Sequence, residues 1–372
     1  MVRVWILLLG LAPIGSGCGR LGFATEPDAA VDAAPPLALA CDRGTLLAAD
    51  PGTLVGLTHF AAVSDGSRGY VTWIDPAGAL RIVGIEAISP DEVRVIGPTT
   101  LELGTLEFLD IALASTGPIV IGRVATAPPR TAVHALDLEL GAVRSAEQAE
   151  FAPYGTPSLM RSGDRFTAVG IDGAGRLAAL RIADAPDLTV TPLPVMRTAP
   201  LWTLLTSVAV SGSPTGGTLA VDAGQCYIAD ITLGDQLVVG AENGGFAMNC
   251  SSVFMERDAE RYAIVYQSNT MFYLSVAGVP NVALGTVTSA APRIARRTSG
   301  LAEQFVVSFL DQGRLRARVV TVANALLPGA AVDLADNVAI VGHAPFVLAD
   351  RLMVSYRQAG PDPGIYLRPI CP

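Results

Sequence analysis

Four aspartates stand at the turns of predicted β-hairpins, and their carboxyl groups are the side chains in this sequence best suited to acid–base chemistry. They are Asp75, Asp172, Asp222 and Asp311. A glycosidase needs two carboxyl groups facing one another across a scissile bond, and hairpin turns arranged around a central opening could supply them. Turn formation explains the same residues, because aspartate caps a tight turn while a nearby glycine takes the positive φ. We expect the turn role, with hydrolysis as the alternative.

The histidines give no metal-site or catalytic pattern. His59, His134 and His343 lie far apart in the chain, and none has a second ligand at motif spacing. His59 and His343 both fall near the start of a predicted inner strand, which places them near the rim of a central opening, where they are candidates for binding. The sequence has no nucleophile elbow, zinc-binding helix, phosphate loop or EF-hand series. It therefore predicts no catalytic residue, no metal and no cofactor.

The net charge of the chain limits the kinds of partner that it can bind. Lysine and arginine number 25 against 34 acidic residues, a net charge of −9, and this balance argues against nucleic acid, which requires a basic surface. One local exception lies in the sixth repeat, where Arg293, Arg296 and Arg297 precede the hairpin. A stripe of Arg314, Arg316 and Arg318 follows, and these three alternate along one predicted strand and so share one face. This arginine stripe predicts a docking site for an anionic partner, or else a solvated face stabilised by neighbouring acids.

The elements that position these residues are hairpins. Residues 304–321 read as two alternating runs joined by a turn, and similar hairpins recur with turns centred near residues 77, 128, 174, 223, 269, 312 and 360. The spacing of about 47 residues is typical of propeller blades. The 51% hydrophobic content, together with 38 Gly and 26 Pro, favours an all-β fold over long helices.

Each hairpin is flanked by two further candidate strands, which gives a blade of four antiparallel strands. The seventh repeat ends after its third strand, and residues 44–49 can supply the missing outer strand and close the ring. We therefore predict a seven-bladed β-propeller. A ring of six or eight blades is an alternative, because the second repeat lacks its turn aspartate. A β-sandwich is a further alternative, which the even spacing of the repeats disfavours.

The cysteines fit this closure. In the closed ring Cys41 and Cys371 become neighbours, and Cys226 and Cys250 share one face of adjacent blades, so we predict two disulfides.

The N-terminus predicts export. Residues 4–12 form a short apolar run after Arg3, as in a secretory signal peptide. Gly15-Ser16-Gly17 before Cys18 resembles a bacterial lipoprotein cleavage site, although that motif usually has Leu where Gly15 stands. Residues 18–23 also resemble the start of lipoproteins predicted in myxobacteria and similar Gram-negative bacteria. The resemblance implies that Cys18 is lipidated and that the protein is an outer-membrane lipoprotein; a plain signal peptide, leaving a periplasmic or secreted protein, is the alternative.

Three segments follow from these features. Residues 1–17 are the signal peptide, residues 18–40, rich in Ala, Pro and acids, are a disordered tether, and residues 41–372 are the propeller. We expect a monomeric, non-catalytic binding or scaffold protein of the cell envelope with a protein or glycan partner. The alternative is a carbohydrate-active or other hydrolytic propeller enzyme with acids at the mouth of its tunnel.

Overall fold

The predicted hairpins form the two middle strands of four antiparallel strands in each of seven sheets. In the hairpin predicted at 304–321, Asp311 lies opposite Arg314 across a two-residue turn. Gln312 and Gly313 in that turn have φ values of 49° and 78°. Both values lie in the left-handed region, which matches the right-handed twist of the strands and which glycine adopts without penalty.

The computed structural model describes residues 35–49, 59–101, 106–149, 151, 153, 155–162, 165–184, 187–198, 205–213, 216–248, 250–256, 262–286, 289–298, 302–335, 339–359 and 362–371. Its first fifteen strands are β1 (Leu37–Ala38), β2 (Thr45–Ala49), β3 (Phe60–Ser64), β4 (Arg68–Ile74), β5 (Leu80–Ser89), β6 (Glu92–Leu101), β7 (Leu106–Ala114), β8 (Gly117–Val124), β9 (Arg130–Leu136), β10 (Val143–Gln148), β11 (Ser158–Ser162), β12 (Arg165–Ile171), β13 (Leu177–Ala183), β14 (Thr189–Leu193) and β15 (Val195–Arg197). The other fifteen are β16 (Ser207–Ser213), β17 (Gly216–Asp222), β18 (Gln225–Leu233), β19 (Leu237–Met248), β20 (Cys250–Met255), β21 (Ala263–Ser268), β22 (Met271–Val276), β23 (Val279–Thr286), β24 (Ser289–Arg297), β25 (Gln304–Asp311), β26 (Arg314–Val322), β27 (Leu326–Ala335), β28 (Ala339–Leu348), β29 (Arg351–Ala359) and β30 (Gly364–Pro369).

These strands make a seven-bladed β-propeller, as predicted. Blades 1 to 6 are β3–β6, β7–β10, β11–β14, β16–β19, β20–β23 and β24–β27, and blade 7 is β28–β30 with β2 as its outer strand. Within each blade the strands are called A to D from the inside outwards. The connections from A to B and from C to D lie on one face, and those from B to C and from D to the next A lie on the other.

Two blades carry a fifth strand that the repeat pattern did not predict. The short β1 pairs antiparallel with β6 at the edge of blade 1, and β15 pairs parallel with β19 at the edge of blade 4. Strand β1 falls inside the segment 18–40 that was predicted as a tether. The rest of that segment before residue 35, and the predicted signal peptide with Cys18, lie outside the described residues.

The core lies between blades. Side chains alternate across each strand, so one set packs on the preceding blade and the other on the following blade. Each of seven buried apolar clusters accordingly joins two successive blades around the ring. At the junction of blades 7 and 1, for example, Trp73 and Phe60 pack with Phe346 and Met353. No blade can bury its apolar faces alone, and stability therefore requires the complete ring.

Ring closure follows the prediction. Strand β2 pairs with β30, with Thr45 opposite Leu367. Cys41 and Cys371 form a disulfide with a Cα–Cα distance of 5.8 Å, joining residues 330 positions apart. Cys226 is fully buried and disulfide-bonded. The side chain of Cys250 lies outside the described residues, so its pairing with Cys226 stays a prediction.

Candidate functional site

The centre of the ring holds a cavity of about 810 Å³, lined by residues of all seven blades. Ligand pockets are commonly about 300–1,000 Å³, so this volume suits a small ligand. The cavity runs obliquely through the ring. Blades 5, 6, 7 and 1 contribute the ends of their A strands and the loops that follow, whereas blades 2, 3 and 4 contribute mainly the starts of their A strands and residues just before them.

Aromatic rings form part of the channel wall. Phe108 and Phe254 line the cavity and are half-buried, so their rings are partly exposed to it. Phe60 and Phe346 also line it but are only 2% and 3% exposed. Aromatic faces of this kind pack against flat or CH-rich ligand surfaces.

Five of the seven charged residues that line the channel lie at the end where the A strands finish. We call this group the charged mouth; its members are Asp65, Glu256, Arg296, Arg297 and Asp350. Arg297 donates from Nε to Asp350 Oδ1 at 3.2 Å and from Nη2 to Oδ2 at 3.1 Å, a bidentate pair between blades 6 and 7. Arg296 donates to Glu303 at 2.6 Å. The Asp350 side chain is 55% exposed, so this pair faces solvent at the channel entrance.

The backbone that carries Asp350 is strained. Ala349 and Asp350 form the two-residue turn between β28 and β29, and their φ values are 49° and 60°. The left-handed region costs Ala349 about 1–2 kcal/mol, whereas an aspartate such as Asp350 tolerates it better. Blade 1 holds the turn in place, because Ala349 N donates to Gly66 O at 2.7 Å. Such strain clusters at functional sites, and here it positions the carboxylate that faces Arg297.

Asp65 at the same mouth is held ionised. Its Oδ1 accepts hydrogen bonds of 2.8 Å from Ser67 N, Ser67 Oγ and Arg68 N. Burial acts to raise the pKa of Asp65, but these hydrogen bonds and the charge of Arg68 outweigh it, and the pKa lies below its usual value. A general acid needs the opposite shift.

Asp110, the acidic residue of blade 2 that lines the cavity, makes a hydrogen bond to the neighbouring blade. It is 4% exposed, and its Oδ2 accepts the backbone N–H of Leu159 in blade 3 at 2.8 Å. The bond ties two neighbouring blades together beside the channel.

The hairpin aspartates do not line the cavity, and their hydrogen bonds fit the predicted turn role. Asp75 accepts the N–H groups of Ala77 and Ala79 at 2.9 and 3.0 Å, and Asp222 accepts that of Gly224 at 2.9 Å. Asp172 caps its turn in the same way, and Asp311 pairs with an arginine on the next strand. These acids belong to the B–C turns, on the opposite face from the charged mouth. The turn aspartates therefore lie outside the cavity, and the acids at its mouth are Asp65, Glu256 and Asp350.

The expectation that His343 lies at the rim is wrong. His343 is 3% exposed and packs between blades 6 and 7, where Nδ1 lies 2.9 Å from Ser308 Oγ. Burial, assisted by the charge of Arg293, lowers the pKa of His343 to about 3. His59 is half-buried and stacks on Phe108, with ring centroids 6.3 Å apart. His59 thus packs against the side chain of Phe108, which lines the cavity, and a role of His59 in binding stays a prediction.

The arginine stripe is engaged with acids of its own blade. Arg316 pairs with Asp333 at 2.6 Å and also with Asp311, and Arg314 pairs with Asp333 at 3.3 Å. Arg318 follows on the same strand. These pairs agree with the alternative of a solvated face, and a docking role for the stripe stays a prediction.

Within the described residues, no group of three or more potential metal ligands is assembled, and no helix is long and apolar enough to cross a bilayer.

Solved structures share the fold. A PL25 ulvan lyase, a polysaccharide lyase, matches with a TM-score of 0.54 at 10% identity, covering 87% of this chain and 95% of the lyase, which has also been solved bound to -[GlcA(1-4)Rha3S]-. AofleA from Arthrobotrys oligospora matches with a TM-score of 0.52 at 11% identity, covering 76% of this chain and 88% of AofleA. The Dos1 propeller matches with a TM-score of 0.51 at 9% identity, covering 82% of this chain and 77% of the Dos1 chain. No protein-family model and no curated protein sequence matches the chain. At these identities the likeness shows the fold alone.

Proposed function

We propose that this protein is an exported, non-catalytic binding propeller of the cell envelope that takes a saccharide into its central channel. The observation that carries the proposal is the combination, in one cavity of about 810 Å³, of partly exposed aromatic rings and a bidentate arginine–carboxylate pair at the entrance.

The chemistry of a sugar matches this combination. Its CH faces pack on aromatic rings such as Phe108 and Phe254, while its hydroxyl groups both donate and accept hydrogen bonds. The carboxylate of Asp350 accepts from such hydroxyls, and the guanidinium of Arg297 donates to them. Because each group holds the other in place, the pair is preorganised and little rotamer entropy remains to be lost on binding.

Two of the four acids that line the cavity, Asp65 and Asp350, favour binding over hydrolysis. A hydrolytic site of the glycosidase type requires one carboxyl group with a raised pKa to protonate the leaving group. Asp65 has a lowered pKa instead, and Asp350 is paired with Arg297.

The proposed location rests on the N-terminus and the disulfide. A signal peptide over residues 1–17, lipidation of Cys18 and a tether before the ring would place the propeller at the surface of a membrane. The disulfide between Cys41 and Cys371 supports an oxidising compartment. The saccharide bound to the ulvan lyase supports the idea that a ring of this shape can hold a glycan.

An array of neutral, uronic-acid and sulfated oligosaccharides, probed with the full chain, tests the proposal. The test variant is Asp350→Asn, which keeps a side chain that tolerates the left-handed backbone but removes the charge that orients Arg297. We expect it to weaken binding at least tenfold.

The matched control is Asp333→Asn. Asp333 is also a partly exposed acid paired with arginines, but it lies on the outer strand of blade 6. We expect the control to bind as the wild type does. Equal loss in both variants, or the absence of any bound saccharide on the array, would overturn the proposal.

A further inference from the structure

A guanidinium group lies against the disulfide that closes the ring, which we call the clasp. Nη2 of Arg351 is 3.4 Å from Cys371 Sγ and 3.8 Å from Cys41 Sγ. Arg351 is the first residue of β29 and follows Asp350 directly, so the clasp lies on the same face of the ring as the charged mouth. Arginine is protonated at every physiological pH, and the two sulfur atoms are therefore in contact with a permanent positive charge.

Blade 1 holds the guanidinium in this position. Nη1 of Arg351 donates to Pro90 O at 2.6 Å and to Asp91 Oδ1 at 2.5 Å, both in the turn between β5 and β6. The Asp91 side chain is 79% exposed, whereas that of Arg351 is 22% exposed. Water screens an exposed carboxylate, and Asp91 binds the guanidinium nitrogen that does not contact sulfur. The positive charge therefore dominates at the sulfur atoms.

The two cysteines differ in access and are held by contacts other than their own bond. Cys41 is exposed and Cys371 is half-buried. The carbonyl oxygen of Cys41 accepts hydrogen bonds from Nε and Nη2 of Arg368 at 3.2 and 3.0 Å. Beside Cys371, Ile370 N donates to Leu352 O at 2.8 Å. These hydrogen bonds do not require the disulfide, so the two sulfur atoms stay close together when the bond opens.

The clasp fixes a segment that crosses the junction between two blades. Residues 37–49, which we call the strap, begin with β1 on the edge of blade 1 and end with β2 on the edge of blade 7. Cys41 lies between these two strands. Opening of the clasp therefore removes the covalent link between the strap and the end of the chain, and leaves the strap held by its backbone pairing.

The chemistry of the site favours exchange at one particular sulfur. In thiol–disulfide exchange a thiolate attacks one sulfur while the other leaves as a thiolate. A cation beside the leaving sulfur stabilises that thiolate and accelerates the step. Cys371 Sγ is the sulfur nearer to Arg351, and Cys41 is the more accessible residue. The arrangement favours attack on Cys41 and departure of Cys371.

We infer that the clasp is a site of thiol–disulfide exchange for a dithiol partner, which attacks Cys41 while Cys371 leaves as a thiolate stabilised by Arg351. The partner's first thiolate bonds to Cys41 Sγ as the bond between Cys41 and Cys371 breaks. Its second thiolate then attacks the partner sulfur of this mixed disulfide, and Cys41 leaves. The partner is oxidised to a disulfide, and the two cysteines take up the two protons that its thiols lost. The reverse sequence closes the clasp. This inference does not depend on saccharide binding.

The rate at which dithiothreitol opens the clasp in the folded, full-length chain at neutral pH tests the inference. Alkylation followed by peptide mass spectrometry measures the opening and assigns it to Cys41 and Cys371. Arg351→Gln removes the cation and should slow the opening by about threefold or more, whereas Arg351→Lys should keep part of the acceleration. A purely structural role of Arg351 predicts the opposite, because a loosened disulfide is reduced faster. Opening of Arg351→Gln at the wild-type rate or faster would overturn the inference.

Two controls separate charge from position. Asp91→Asn removes one partner of Arg351 but keeps the cation and its hydrogen bond to Pro90, so the clasp should open at the wild-type rate or faster. Slowing equal to that of Arg351→Gln would contradict the charge argument. Arg316→Gln changes an acid-paired arginine of blade 6 and should leave the rate unchanged. Cys226 is fully buried, so its bond should stay closed while the chain is folded.

A monothiol tests which sulfur is attacked. Glutathione is added together with iodoacetamide, which alkylates the released cysteine and prevents the clasp from closing again. We expect glutathione on Cys41 and the alkyl group on Cys371. Glutathione found mainly on Cys371 would overturn the assignment of the attacked sulfur.

Discussion

Removing the disulfide between Cys41 and Cys371 measures how much the closure of the ring contributes to stability. The bridge joins residues 330 positions apart and covers the junction at which β2 completes blade 7. In the chain-entropy treatment, a crosslink over a loop of this length destabilises the unfolded chain by about 6 kcal/mol. Pairing of β2 with β30 does not depend on the bond, so the variant Cys41→Ser/Cys371→Ser should fold and lose several kcal/mol, with about 6 kcal/mol as the upper bound.

Guanidinium chloride unfolding, followed by fluorescence and circular dichroism, is the assay. The substitution is preferable to a reducing agent, because a reductant would also open the bond made by Cys226. Cys18→Ser, a cysteine substitution outside the ring, should leave the unfolding midpoint unchanged. A loss below about 1 kcal/mol in the double variant would refute the reasoning, since a 330-residue loop should give one of the larger disulfide effects.

Two further predictions concern acid stability and the N-terminus. Burial lowers the pKa of His134 to about 4 and that of His343 to about 3, so between those values and pH 6.5 the unfolded chain binds more protons and stability falls as the pH falls, by about 1.4 kcal/mol per pH unit for each histidine. Urea unfolding between pH 7 and pH 4 should show a clearly shallower decline in His134→Gln/His343→Gln, and an equal decline in both proteins would contradict this assignment. For the N-terminus, metabolic labelling with palmitate in a Gram-negative host should label the wild type but not Cys18→Ser. Labelling of both would show that the lipid is not on Cys18.

The blades could be predicted because their signal is local and repeated. The strands of a hairpin such as 304–321 can be recognised by the period-two alternation of their residues and by the turn between them. Seven such hairpins at even spacing predict the ring. Closure of the ring by β2 could be predicted because the seventh repeat ends without an outer strand, and a segment near the N-terminus had to supply it. The second repeat, which lacks a turn aspartate, makes the same connection with a loop that contains a cis Ala127–Pro128 bond.

The extra strands were not predictable in this way. Strands β1 and β15 contain only two and three residues, too few to show a period. They join their blades through backbone hydrogen bonds, which any sequence other than proline can make.

The candidate site was missed for a different reason. Arg297 and Asp350 are separated by 53 positions in the chain and meet only because blade 7 follows blade 6 around the ring. The alternation of side chains along a strand predicts on which face of the blade each residue lies. It does not predict which loops direct charged side chains toward the channel. The turn aspartates suggested the B–C face, whereas the charged mouth lies on the A–B face. The one local signal was the run that contains Arg293, Arg296 and Arg297, whose residues all line the cavity.

A crystal structure of the protein soaked with a saccharide that it binds on the array tests the central claim most directly. The account predicts sugar density inside the channel, with hydroxyl groups within hydrogen-bond distance of Arg297 and Asp350. Sugar bound only along the outer strands of the blades, with the channel unchanged, would contradict it.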